Sequence, residues 1–350
     1  MYSAGRYLFG KRLLRRCCAF PKRSSQQKTQ IYTKDISMKP IDLATGKEAV
    51  LLPEETLSCA IGNFDGVHLG HKALILRAAS RPGGATKSAV WTFSEPSSRL
   101  LDGKIGLLTT MEERLSLFRA LGIDLVFLED FDSVRNVEAH SFAENILYRQ
   151  CQVRTAVCGF NFYYGKNAAG TAETLSESFR LLGGHAEIIP PCKIDGVIVS
   201  SSEIRAALAA GDVGRATAML DRPYSLTAVV REGKQLGHRL GFPTINQLFP
   251  VERALPRFGV YATRVAVDGK RYYGVSNVGV RPTVEHTTQA NCETYILDFD
   301  GNLYGKTVKV EFCHFLRPEE KFESPTALRD AIFQNITQTR AFFHLTESRL

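Results

Sequence analysis

From Leu57 to about Leu220, short apolar runs alternate with helical stretches, and this alternation constrains the fold more than any other feature. "LSCAIGNF" reads as a buried strand, and "GHKALILRAAS" from Gly70 as the helix after it. "KSAVWTF", "DLVFLED", "VRTAVCGF" and "HAEIIP" are further strands. Between them lie helices over "TTMEERLSLFRALG", "VEAHSFAENILYRQ" and "TAETLSESFRLLG", and "SSSEIRAALAAG" follows as another. Thr109/Glu112 and Thr110/Glu113 each have capping-box spacing. Strand and helix in strict alternation imply a parallel sheet with crossover helices. After Asp221 the texture changes. "RPYS" looks like a junction, and the β-rich runs "LTAVVRE", "VYATRVAV", "KRYYGVSNV", "CETYILDF" and "TVKVEFCHFL" follow. Asp268-Gly269 is a hairpin signal and Asp300-Gly301 another turn. A long helix returns only in "SPTALRDAIFQNITQTRAFF", with Ser324 as its N-cap. The second half is therefore an all-β barrel or sandwich closed by a C-terminal helix. Two domains suit the 350-residue length.

The net charge of +8 suggests a nucleic-acid partner, but its distribution argues otherwise. Residues 1–37 hold nine basic side chains and one acid, Asp35, which accounts for all of it. The folded part is close to neutral. The basic extension, Arg-rich and acid-poor, reads as an organelle transit peptide, a disordered tail or an upstream start ahead of Met38. A nucleic-acid arm is the remaining reading. Eight scattered cysteines without a CxxC pair point to reduced thiols rather than a disulfide framework or zinc site. No run approaches the roughly 20 apolar residues of a membrane span, so no membrane partner is expected.

"GNFDGVHLGH" (62–71) stands where a strand meets a helix. In parallel sheets ligands bind there, and the helix N-terminus favours phosphate. Gly62 and Gly66 allow close backbone approach. His68 and His71 lie one helical turn apart and can face one anionic ligand. Ordinary surface or metal-binding histidines are the plain alternative, although no third ligand stands out. Further along, "GKQLGHRLGFPTIN" (233–246) places Gly233, Gly237 and Gly241 in a loop able to face phosphates. Thr244 and Asn246 offer hard oxygen ligands suited to Mg²⁺. A glycine-rich hairpin is the alternative.

The first stretch resembles the HxGH signature of nucleotidylyltransferases. In its longer form it is similar to the first motif of the bifunctional bacterial-type riboflavin kinase/FAD synthetase (flavokinase/FMN adenylyltransferase) family. "CGFNFYYGK" (158–166) and "VSSSEIR" (199–205) resemble that family's next segments. The glycine-rich loop resembles its flavokinase motif, and "VSNVGVRPTVEH", "CETYILDF" and "FLRPEEKFESPTALRDAI" resemble its second half. The likeness covers nearly all of residues 38–345. It implies an α/β Rossmann-like nucleotidylyltransferase domain (38–220) followed by a Greek-key barrel flavokinase domain (221–350) with a C-terminal helix. Riboflavin would be phosphorylated to FMN and FMN adenylylated to FAD, both with ATP and Mg²⁺.

By the same resemblance His68, His71, Gly62, Asn63, Asp65 and Gly66 belong to the ATP site. Ser200, with Glu203 as capping partner, Ser201, Ser202 and Arg205 would bind the β- and γ-phosphates; Arg205 as a plain surface residue is the alternative. Asn161 would contact nucleotide or flavin, or be only a turn residue. Glu293 matches the general base of the kinase; without the motif it would read as a surface strand residue. Arg281 and Arg317 would line the flavin, with a structural ion pair the competing reading of Arg317. Two departures stand out. "TFSEPSSRLL" (92–101) lacks the histidine of the family's T-F-x-P-H-P, leaving Glu95 or Ser97 to cover its role. His238 replaces a usual arginine. The missing histidine supports an alternative, a riboflavin kinase with an impaired adenylyltransferase domain. A flavin-responsive nucleic-acid-binding regulator is a third reading. A cytoplasmic location is expected, or an organelle if the extension is a transit peptide. A weak homo-oligomer is compatible with the sequence.

Overall fold

The structure, a computed structural model, describes residues 40–42, 52–94, 106–233, 241–282 and 288–345, with 40–42, 281–282 and 288 as backbone only. It divides into two compact units. One contains 109–200 and the residues before 106; the other contains 106–108 and the residues from 201 on.

The first unit is built on six parallel strands: β1 (Pro40–Asp42), β2 (Leu57–Ile61), β3 (Lys87–Phe93), β4 (Leu125–Glu129), β5 (Val153–Gly159) and β6 (His185–Ile189). Their order in the sheet is β1-β4-β3-β2-β5-β6. Every residue of β2 is buried, because both faces of the sheet are covered. Cys59 and Ile61 face a core with Phe142, Leu147, Leu175 and Phe179. Ala60 faces the opposite core with Ile75, Phe118 and Val126. The covering helices are α1 (Leu69–Ala79) and α2 (Met111–Ala120) on one side, and α3 (Phe142–Gln150) and α4 (Ala172–Leu181) on the other. α3 is π-helical, where the sequence suggested an ordinary helix. α2 opens on the Thr110/Glu113 capping box; Thr109 is used otherwise, as shown below. The chain leaves β2 toward β3 but leaves β5 toward β6. The sheet's switch point therefore lies at the carboxyl ends of β2 and β5, where ligands bind in such sheets.

The second unit begins with α5 (Ser201–Ala210) and α6 (Val213–Leu220), the latter not read from the sequence. Six antiparallel strands follow: β7 (Tyr224–Val229), β8 (Thr244–Leu248), β9 (Gly259–Val267), β10 (Lys270–Pro282), β11 (Thr288–Ile296) and β12 (Thr307–Pro318). The order is β7-β12-β9-β10-β11-β8. β12 returns beside β9 after two hairpin connections, which makes the Greek key. The β9–β10 turn is Asp268-Gly269, both with positive φ. The sheet curls until its edges meet: Arg231 N–H donates to Asn246 O at 2.8 Å. Buried Gln247 reinforces the closure by donating to Ala228 O and Val308 O at 2.7 and 2.8 Å. Tyr224, Leu226, Phe249, Tyr261, Val265 and Phe312 are buried within this unit. α7 (Pro325–Phe342), capped by Ser324, packs Ile336 on Phe242, Val260, Val275 and Leu297.

Candidate functional site

The "GNFDGVH" segment leaves the buried end of β2 and must turn sharply before α1 begins. It does so with positive φ at Phe64, Gly66 and Val67 (50°, 85° and 41°). A β-branched valine in that region is strained, and the surroundings hold it there. Phe64 and Val67 are fully buried. Asp65 Oδ1 accepts from the Thr109 N–H (3.1 Å) and hydroxyl (3.2 Å), while Gly66 N–H donates to Thr109 Oγ1 at 2.9 Å. The loop is thus tied to the start of α2.

His68 emerges from this knot as the N-cap of α1. Its Nδ1 accepts from His71 N–H at 3.3 Å. That bond leaves the ring proton of neutral His68 on Nε2. The two imidazoles stack, with centroids 3.6 Å apart and planes 17° from parallel. Burial, then the neighbouring His68, then Arg114 hold the His71 pKa well below its usual value, so His71 is neutral at physiological pH. Its Nδ1 is buried without a hydrogen-bond partner. A Cβ on Gly70 would lie 3.2 Å from the His68 ring, so the glycine lets that ring sit against the helix backbone. Asn161 stands exposed in the turn after β5, on the other side of the switch point. Gly62 N–H donates to Trp91 O at 3.1 Å, and Asn63 O accepts from Thr92 Oγ1 at 3.2 Å.

In the second unit, strand register assembles the site. Asn246 on β8 pairs with Glu293 on β11, which pairs with Asn277 on β10. Directly paired residues share a face, and so do residues two apart on one strand. Thr244, Asn246, Glu293 and Asn277 therefore present to one side of the sheet. Asn291 Nδ2 donates to Glu293 Oε1 at 3.2 Å and steadies the carboxylate. Asn246 is buried, yet its Oδ1 has no partner. Gly233 packs so closely on this amide that a Cβ would lie 2.3 Å from Nδ2. An orphaned amide oxygen beside a threonine hydroxyl and a carboxylate is a donor set that fits a hard divalent cation.

Other residues singled out in the sequence are placed differently. α5 starts at Ser201, so Ser200 ends the first unit while Ser201, Ser202 and Arg205 stand on the helix of the second. Arg205 Nε donates to Gly106 O at 2.7 Å, and Glu203 pairs with Arg215 at 2.8 Å. Arg317 Nε donates to buried Asn335 Oδ1 at 3.2 Å, and its guanidinium lies over Phe322. Gly241 has open space around it. Gly237, His238, the Arg281 side chain, Glu95, Ser97 and the basic extension lie outside the described residues. Thr109 and Arg114 were not found from the sequence. Thr109 has the spacing of an alternative cap, and Arg114 carries no sequence signal that sets it apart on its helix.

Comparison with known proteins agrees with this geometry. Residues 53–203 match the FAD synthetase family model and residues 220–343 the riboflavin kinase model. A bifunctional riboflavin kinase/FMN adenylyltransferase of Pseudomonas fluorescens is 34% identical over 288 residues, spanning 80% of this chain and 91% of that protein. The chain belongs to this family. The family member of Escherichia coli K12 is 31% identical over 301 residues, spanning 84% of this chain and 95% of that one. A crystal structure named as a macrolide-efflux protein from Streptococcus pneumoniae superimposes with a TM-score of 0.76 at 27% identity, covering 87% of this chain and 98% of the other. That likeness extends the shared fold to most of the chain. Among the described residues no helix is long and apolar enough to cross a membrane.

Proposed function

We infer that this chain makes FMN from riboflavin and FAD from FMN, using ATP in both steps, with phosphorylation in residues 221–350 and adenylyl transfer in 38–220. One observation carries the reading furthest: Thr244, Asn246 and Glu293, about fifty residues apart at the extremes, share one face, and Asn246 keeps a buried oxygen unpaired.

For phosphorylation, Glu293 accepts the proton of the ribityl hydroxyl as that oxygen attacks the γ-phosphorus of ATP and ADP leaves. Asn291 holds the carboxylate toward the hydroxyl. Thr244 and Asn246 would hold Mg²⁺, which supplies neutralising charge for the transferring phosphoryl group. Gly233, Gly237 and Gly241 are assigned to the ATP phosphates, and Arg281 and Arg317 to the flavin side.

For adenylyl transfer, a phosphate oxygen of FMN attacks the α-phosphorus of ATP and pyrophosphate leaves. The nucleophile is already anionic, so positioning and charge stabilisation do the catalytic work. His68, with its proton on Nε2, donates to the phosphates; neutral His71 donates from its own ring N–H. Gly62, Asn63 and Gly66 shape the loop beneath, and Asp65 braces it. Asn161 orients nucleotide or flavin, and Ser200, Ser201, Ser202 and Arg205 bind the leaving pyrophosphate. The reading places the enzyme in the cytoplasm, or in an organelle if the basic extension is a transit peptide.

The test is separate inactivation of the two steps. Glu293→Gln should lower riboflavin phosphorylation by about 10²–10⁴-fold and leave the conversion of supplied FMN to FAD unchanged. His68→Ala should do the reverse. Loss of both activities in either variant, with the protein folded, would contradict the assignment.

A further inference from the structure

Arg114, on α2, is 1% exposed, and its Nε is buried without a hydrogen-bond partner. Its Nη1 donates to Asn63 O at 3.1 Å and Phe93 O at 3.4 Å, and its Nη2 to Ser94 O at 3.2 Å. These carbonyls belong to the loop after β2, which carries His68, and to the last residue of β3 and the one after it. Both lie at the carboxyl edge of the sheet, beside the switch point. Asp65, 3% exposed, is the countercharge acting on this guanidinium, and the positive charge of Arg114 reaches His71. An arginine sealed in an interior is costly unless paired and hydrogen-bonded. Here it draws together three carbonyls that would otherwise repel one another where two loops meet. Arg suits this task because its planar fork can serve several acceptors at fixed angles.

We propose that Arg114 is a positioning residue for adenylyl transfer: it clamps the histidine-bearing loop after β2 to the end of β3. The proposal rests on the adenylyl-transferase reading of the first unit. Without the clamp the strained turn at Phe64–Val67 loses one of its anchors, Thr109 being another. The histidine pair then no longer meets the ATP phosphates in a fixed place.

The test uses the full chain carrying Arg114→Met or Arg114→Lys. Initial rates of FAD formation are taken at varied ATP and varied FMN. Folding is followed by the emission and melting of Trp91, the only tryptophan, on β3 itself. Arg114→Met is expected to raise KM for ATP about 10-fold and lower kcat about 10-fold, with KM for FMN within twofold. Arg114→Lys keeps the charge and reaches fewer carbonyls, so it should lose about 5- to 10-fold in kcat/KM for ATP. A partly unfolded population lowers kcat alone, so the change in KM for ATP separates positioning from mere stability. Arg114→Met with both constants within threefold of the parent overturns the proposal. So does Arg114→Lys with parental constants beside an Arg114→Met that fails to fold. If the parent chain makes no FAD from FMN, the adenylyl-transferase reading itself fails, a result distinct from either of these.

Discussion

Replacing Gly233 with alanine should disable one activity of this chain and spare the other. The added methyl carbon would lie 2.3 Å from Asn246 Nδ2 and 2.7 Å from its Cγ. Ordinary contact is about 3.5–4.0 Å, so one partner must retreat by more than about 1 Å. The backbone of Asn246 cannot retreat easily. Its carbonyl accepts from Arg231 N–H at 2.8 Å, and its strand is registered against Glu293. The amide must therefore rotate, or the loop at Gly233 must lift. Rotation takes Oδ1 away from the face where it would hold Mg²⁺, an ion whose ligands sit at about 2.0–2.1 Å in strict geometry. Lifting the loop moves the backbone meant for the phosphates. A misplacement of about 1 Å can cost roughly 100-fold in rate, or about 2.7 kcal/mol of barrier. The assay is riboflavin phosphorylation at several Mg²⁺ concentrations, with FMN-to-FAD conversion measured on the same protein. The expected result is a loss of about 100-fold in phosphorylation, a raised Mg²⁺ requirement, and unchanged adenylyl transfer. A Gly233→Ala protein with phosphorylation within threefold of the parent and an ordinary Mg²⁺ dependence would refute the reasoning.

Other perturbations follow from the same contacts. Gly70→Ala puts a methyl 3.2 Å from the His68 ring, which must shift by a few tenths of an ångström; adenylyl transfer should fall about 10-fold while the helix gains up to about 1 kcal/mol, and parental FAD formation would contradict this. The depressed pKa of His71 makes a signed prediction. Below the unfolded value of about 6.5, the unfolded chain takes up a proton that the folded one refuses. The stability contributed is therefore complete above that pH and declines as pH falls. The Trp91 melting midpoint should drop more between pH 8 and 5.5 in the parent than in His71→Gln; parallel declines would count against a buried neutral His71.

The sequence yielded most where local chemistry decides the structure. β3 runs from Lys87 to Phe93, the full extent of its apolar run, because a strand buried on both faces shows no alternation to blur its ends. The Thr110/Glu113 box, the Asp268-Gly269 hairpin and Ser324 were legible for the same reason: each acts through neighbours three or four residues away. What stayed hidden depends on distant partners. β8 looked like part of a glycine-rich loop because its strand character comes from pairing with β11, a partner distant in sequence. The segment Val213–Leu220 ran into a junction and lacked a recognised cap, although Asp212 serves as one. The motifs marked His68, His71, Asn246 and Glu293, but the pattern that packs β2 and β3 against α2 gave no sign that Arg114 is buried. In sequence it is one basic residue among the charged positions of a helix.

The most direct measurement is a time course with the purified protein, riboflavin, ATP and Mg²⁺, resolving riboflavin, FMN and FAD by chromatography. The account predicts that FMN rises first and then gives way to FAD. FMN that accumulates with no FAD, even when supplied in excess, would contradict adenylyl transfer by this chain. No conversion of riboflavin would contradict the kinase as well.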